Sequence, residues 1–295
     1  MKLNKHFFPL LSCIGSGKRL LLEDELILHT FFRSFSGNGV RVKIIFSGQE
    51  CTLFLPETQL IQWCIDLFPY GDCRAIGDDI LKLMLLWSLK NFFTGYELLI
   101  KDIYFITLEP DVYPVVELSQ NDKILNLVFL DVAKELLSLV IDDQWERASR
   151  KSVVTFDGTI VVGWSDYQVS QLNVGEALKI YYVDDTNRNS CWLTINNPVA
   201  QVQLNGDSLY FSHVYEQGLL AMLESDGEKN RIYCVIGTIS LNLNLLEEAS
   251  TGMPVAFDKY NLWGGYRLIR NNEYLASGSI IKINDDFYFI VKSVH

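Results

Sequence analysis

The C-terminal half of this chain repeats itself. Residues 171–180 and 248–257 each run from a short amphipathic turn through a glycine, Gly175 or Gly252, into an apolar strand. Downstream, residues 193–197 match 268–272, and 204–207 match 283–286, with an aromatic strand following each of the last pair. The landmarks keep their order at an offset of about 75–79 residues, long for a solenoid repeat and suited to a duplicated small domain. A module of roughly 65–70 residues built from short strands has trouble closing a core alone. Two copies in one chain are therefore expected to mate and bury their apolar faces jointly. The competing reading, successive parts of one β-sandwich, needs no duplication.

The N-terminal half has a different texture. Residues 40–46 alternate Val40, Val42 and Ile44 with Arg41 and Lys43, a strand pattern. A second short strand is read at 51–55, ended by Pro56. Helical spacing predicts helices over 57–68, 78–93 and 131–145. A polar stretch at 142–151 marks a boundary. Beyond it, strands are expected at 178–183, 199–204 and 238–245. In the last of these, Ile239, Leu241, Leu243 and Leu245 share one face. Residues 224–230 form a charged, glycine-bearing linker. The expected fold is α+β: an N-terminal mixed α/β domain (1–150), a first all-β module (151–217), a linker (218–230) and a second all-β module (231–295), the two modules pairing with each other.

Charge narrows the partners. At a net charge of −11 the chain repels phosphate backbones and anionic membrane surfaces, which argues against nucleic acid and direct membrane insertion. The apolar runs at 80–93 and 124–141 are broken by Lys82, Asp131, Lys134 and Glu135, so no segment reads as transmembrane, and Pro9 breaks the short run that would resemble a signal peptide. Six cysteines without a C-x-x-C pair read as reduced, buried thiols.

No cofactor, metal or catalytic residue is expected. Residues 12–19 approach a phosphate loop, but Ser12 replaces the first glycine and Arg19 stands where a magnesium-binding hydroxyl belongs, so they read as a flexible surface loop. His6, His29, His213 and His295 are scattered, without metal-ligand spacing. The pairs Asp78–Asp79, Asp142–Asp143 and Asp285–Asp286, with the clusters at 23–25 and 184–185, fit helix starts and turns better than catalytic carboxylates.

The segment 266–291, with 160–166 and 174–178 as its first copy, resembles the surface-presentation-of-antigens module: strand, Asn-Gly, apolar residue, a glycine, apolar strand, acidic turn, strand. Here Asn271-Asn272 replaces Asn-Gly, and Gly278-Ser279 replaces the usual Gly-Glu. An α/β region followed by two such modules resembles the SctQ-class cytoplasmic-ring proteins of type III secretion, and the C-terminal module is similar to flagellar motor switch proteins.

The resemblance implies a non-catalytic virulence component: a sorting-platform subunit in the bacterial cytoplasm, peripheral at the inner-membrane base of the injectisome. It implies docking to the stator-like subunit of the export ATPase and to the membrane-ring adaptor, pairing with the chain's own C-terminal fragment, and contact with chaperone–effector complexes. Met222 would suit an internal start for such a fragment. Val235, Ile239, Leu241, Leu243, Leu268, Tyr274, Ile281 and Phe289 are expected to serve module pairing or partner contact. The alternatives are a flagellar-type switch or switch-linked phosphatase, which needs paired acidic and Asn residues on symmetric helices, and an unrelated α/β enzyme, which needs a convergent polar pocket in 1–150.

Overall fold

The computed structural model describes every residue except 1–2, 23–24, 66–72, 91, 94, 149–153, 167–171, 182, 184–189, 196, 206–207, 216–218, 220–222, 224–230, 256–258 and 272, and the side chains of Lys259 and Tyr260. Met222, Asn272, most of the linker, and the acidic pairs at 23–24 and 184–185 lie outside the described residues. The chain divides into two compact units, Met1–Val154 and Thr155–His295.

The N-terminal unit is dominated by antiparallel strands. These are β1 (Lys18–Leu21), β2 (Ile27–Phe46), β3 (Gln49–Pro56), β4 (Leu98–Gln120), β5 (Lys123–Asp131) and β6 (Glu146–Arg147). β2 pairs with both β3 and β4, β4 pairs with β5, and β5 returns to β3, so four strands close a ring. Helices α1 (Leu11–Ile14), α2 (Glu57–Trp63), α3 (Asp78–Leu89) and α4 (Lys134–Val140) are short by comparison. Helices and strands are both present, as an α+β fold requires, with the strands predominating. β4 escaped notice because it mixes exposed and buried apolar residues with no single period, and a bulge at Phe35/Gly37 of β2 shifts its register.

The helix expected over 131–145 shrinks to α4 for a local reason. The Asp142 carboxylate accepts from the Gln144 N–H at 3.0 Å, which favours a turn. The Trp145 indole N–H then donates to the Val140 carbonyl at 2.9 Å, satisfying one of the helix's orphan acceptors. α3 begins at Asp78 and Asp79, whose charge suits the positive end of the helix dipole. It buries Leu81, Met84, Leu85, Ser88 and Leu89.

The segment that approaches a phosphate loop is tied down, and its centre is buried while Ser12 and Arg19 at its ends are exposed. Cys13 and Ile14 end α1, Gly15 to Gly17 are buried, and Lys18 enters β1 opposite Thr30. A phosphate loop needs a helix after its glycines, and here a strand follows. The Gly17 carbonyl accepts from Ala148 at 2.9 Å, which ties the turn down.

The C-terminal unit holds β7 (Thr155–Ser165), β8 (Ala177–Ile180), β9 (Ser190–Thr194), β10 (Pro198–Asn205), β11 (Ser208–Val214), β12 (Ile232–Asn242), β13 (Lys259–Arg270), β14 (Glu273–Ile283) and β15 (Asp286–Val294). They form one nine-stranded sheet in the order β11-β10-β9-β7-β12-β13-β14-β15-β8. β7 and β12 run antiparallel at its centre, flanked by β9-β10-β11 on one side and β13-β14-β15 on the other.

The clean alternation at 238–245 does not stay a strand. β12 stops at Asn242, and α5 (Leu243–Glu248) follows, with Leu243, Leu245 and Leu246 buried. Asn242 has extended backbone, and its side-chain oxygen accepts from the Leu245 N–H at 2.9 Å, an N-cap that starts the helix where the alternation would continue. Asn242→Ala is expected to cost the C-terminal unit about 1 kcal/mol, the usual worth of such a cap. Urea unfolding of that unit, compared with wild type, measures it.

Candidate functional site

The two repeats trade strands. β8 belongs to the first repeat but pairs with β15 of the second, from Phe287 opposite Ile180 to Ile290 opposite Ala177. Its approach is anchored by two backbone bonds: Gly175 N–H to the Val291 carbonyl at 2.8 Å, and Val291 N–H to the Glu176 carbonyl at 3.0 Å. The second repeat does the same in return. Gly252 N–H donates to the Phe211 carbonyl on β11 at 2.7 Å, Phe211 N–H donates to Met253 at 2.9 Å, and Pro254 bridges Tyr210. Gly175 and Gly252 have φ of 86° and 89°, so each turn needs the left-handed conformation that glycine adopts without strain. The motif read as a repeat is the hinge of a reciprocal exchange.

The exchange builds the core. Leu178 and Ile180 of β8 are packed with Ile232, Cys234, Leu268, Ala276, Phe289 and Val291 in one buried cluster. On the central seam, Val235 lies opposite Val161, Ile239 opposite Gly158 and Leu241 opposite Phe156. Val235 joins Val161 and Trp164 in a second cluster, with Trp192, Tyr233 and Trp263 against it.

Of the eight residues singled out in the sequence, Val235, Ile239, Leu241, Leu243, Leu268 and Phe289 are buried inside this unit. Val235, Ile239 and Leu241 pair with β7, and Leu268 and Phe289 share a buried cluster with Leu178 and Ile180 of β8; none of the six is exposed in this fold. Tyr274 is half-buried, and Ile281 is 40 % exposed.

The exchange also creates a cleft of about 430 Å³ lined by residues of both repeats, with Ser165, Asp166, Glu176, Lys179 and Tyr181 from the first and Tyr288 from the second. Its rim is charged and aromatic. Lys179 reaches Asp286 at 2.8 Å and lies over the Tyr181 ring at 5.4 Å. The hydrogen bond to Asp286 raises the Lys179 pKa, so the ammonium stays charged. Arg231 bonds Asp166 at 3.1 Å and stacks on Trp164 at 4.9 Å. Tyr181 is 43 % exposed beside it. A polar rim around exposed aromatic surface is the composition of a protein-docking patch. Tyr181, Tyr288 and Arg231 were not singled out in the sequence; Tyr181 fell in the strand read at 178–183, Tyr288 in the segment 266–291, and Arg231 at the start of the second module.

In the N-terminal unit, α3 leaves Ile80, Leu83 and Trp87 exposed at helical spacing, a second apolar surface. Among the described residues there is no group of three or more His, Cys, Asp or Glu placed to hold a metal, and no helix is long and apolar enough to cross a membrane.

All six cysteines are free and buried. Burial pushes the Cys191 thiol up to about 12 and raises Cys51 and Cys234 as well. Because the thiolate is the nucleophile and forms only above the pKa, these thiols stay protonated at neutral pH. Folded protein is therefore expected to resist alkylation at pH 8 and to label at all six positions after denaturation; mass spectrometry counts the adducts.

Family models match nearly the whole chain: the SepQ protein N-terminal domain over residues 1–140 and the SepQ protein C-terminal domain over residues 150–295. The chain belongs to the SepQ family. SepQ is the SctQ protein of the type III secretion sorting platform, a cytoplasmic, structural component of the secretion system. A search of curated proteins found no match. The SepQ C-terminal match begins at residue 150, a few residues before the passage from the first compact unit to the second at Val154/Thr155.

Proposed function

We propose that this SepQ-family protein is a non-catalytic scaffold of the sorting platform that docks the stator-like regulator of the export ATPase on its C-terminal unit and the membrane-ring adaptor elsewhere. One observation carries the reading: the cleft at Tyr181 and Tyr288 exists only when β8 of one repeat lies against β15 of the other, so the exchanged pair, and neither repeat alone, makes the surface. The adaptor is assigned to the N-terminal unit, where Ile80, Leu83 and Trp87 offer a helical stripe. Such docking would place the protein against the inner-membrane base of an injectisome without inserting it, in reach of chaperone–effector complexes. A fragment carrying the second repeat alone would complete its sheet with another repeat, which makes the chain's own C-terminal fragment a further partner.

The test is co-purification of the tagged full-length protein with the co-expressed stator-like subunit. Tyr181→Ala combined with Tyr288→Ala is expected to lower recovery about tenfold, as loss of aromatic anchors does at other interfaces, with the melting temperature of the unit little changed. Recovery equal to wild type would place the stator contact outside this cleft.

A further inference from the structure

A second cleft on the C-terminal unit has the opposite electrostatic character to the rest of the chain. On β13, Arg267 lies 4.1 Å from the centroid of the Trp263 ring and 5.1 Å from that of Tyr274. His295 stacks on Tyr274 with centroids 4.3 Å apart. These side chains and Lys292 line a cleft of about 410 Å³. Among the described residues no acidic side chain lines it, although the protein carries 36 Asp and Glu against 25 Lys and Arg. Among the described residues, neither Arg267 nor Lys292 makes an ion pair.

The backbone beneath is also open. β13 pairs with β12 at Leu262 opposite Gly237 and again at Arg267 opposite Val235, so Trp263 to Tyr266 form a wide bulge facing one residue. Pairing with β14 begins only at Tyr266. Among the described residues, Gly264 and Gly265 thus have no ladder partner on either side, and a Cβ at either would meet nothing within 4 Å. Glycines in a bulged strand leave room for another backbone or a ligand to approach closely. A guanidinium held between two aromatic rings keeps its N–H edge free for bidentate bonding to a carboxylate.

We infer that this cleft is a docking site for an extended acidic peptide of a partner protein. Arg267 takes a Glu or Asp carboxylate, Lys292 reinforces it, and the unpaired backbone at Gly264 and Gly265 bonds the peptide main chain. A free anion could use the cations but not the main-chain acceptors. The site is distinct from the Tyr181–Tyr288 cleft, and the inference stands whether or not that cleft binds the stator-like subunit.

The probe is a fluorescein-labelled, C-amidated octapeptide with two glutamates and one phenylalanine in a Gly/Ser background, followed by anisotropy on full-length protein. Saturable binding is expected that weakens with added salt. Lys292→Glu, an exposed change that spares the core, and Arg267→Lys, which keeps the charge but loses the fork, should each weaken it about tenfold. The matched peptide with glutamine for glutamate should not bind. No binding by the acidic peptide overturns the inference, as does equal binding by Lys292→Glu or by the glutamine peptide. Inorganic phosphate displacing the peptide at equal concentration would show a site for anions alone, and would also overturn it.

Discussion

Ile239→Asp together with Leu241→Asp is expected to unfold the C-terminal unit while the N-terminal unit stays folded. Ile239 is 3 % exposed and Leu241 fully buried, and both sit on β12 where it pairs with β7. Burying each side chain is worth about 1.5–3 kcal/mol. An unpaired carboxylate in its place adds a penalty of several kcal/mol or must take up a proton. Together the two changes cost about 10 kcal/mol or more, as much as the whole stability of a typical domain. Met1–Val154 closes its own ring of strands and has its own core, so it does not depend on the seam. Limited proteolysis with mass determination reads the result: rapid loss of 155–295 and survival of a fragment ending near Val154. Protection of both units as in wild type would contradict the assignment of the seam as the element that joins the repeats.

The isolated stretch 231–295 should not persist as a compact monomer. Without the first repeat, β12 loses the partner that pairs it along its length, and β15 loses β8. Both edges of the remaining β12-β13-β14-β15 sheet would carry unpaired N–H and C=O groups, the condition that drives strands to seek another chain. The core would also lose Leu178 and Ile180, together about 3–6 kcal/mol of burial. A core this small rarely supplies more than about 3–5 kcal/mol in total. Sedimentation at rising concentration is expected to show a dimer or larger species with concentration-dependent melting, and addition of 155–217 should compete with that self-association. A well-folded monomer with a melting temperature independent of concentration would sink the prediction.

Legibility differed between the two halves. Gly175 and Gly252 stood out in the sequence because a left-handed turn restricts the choice of residue, and the same turn occurs twice. The strand at 238–242 was legible from its period of two, but the break into α5 was not, since Leu243 and Leu245 continue the alternation and only the Asn242 cap bond ends it. In the N-terminal half, a helix was read over 131–145 from apolar spacing that a seven-residue helix also satisfies. The long strand β4 gave no period because its first part has exposed Leu99, Tyr104 and Phe105 while its last part is almost wholly buried.

By itself the sequence determined that the C-terminal half is rich in β-strands with a recurring glycine turn, that the chain is acidic, and that it has no local signature of catalysis, since each of these is written in neighbouring residues or in their sum. Tertiary structure decided that the repeats exchange strands, that six of the eight chosen apolar residues face inward, and that Tyr181, Tyr288 and the Arg267 cluster lie at the surface. The reason is physical: a period of two tells which residues share a face, whereas the strand that covers that face comes from a sheet partner distant in sequence, and only the pairing selects it.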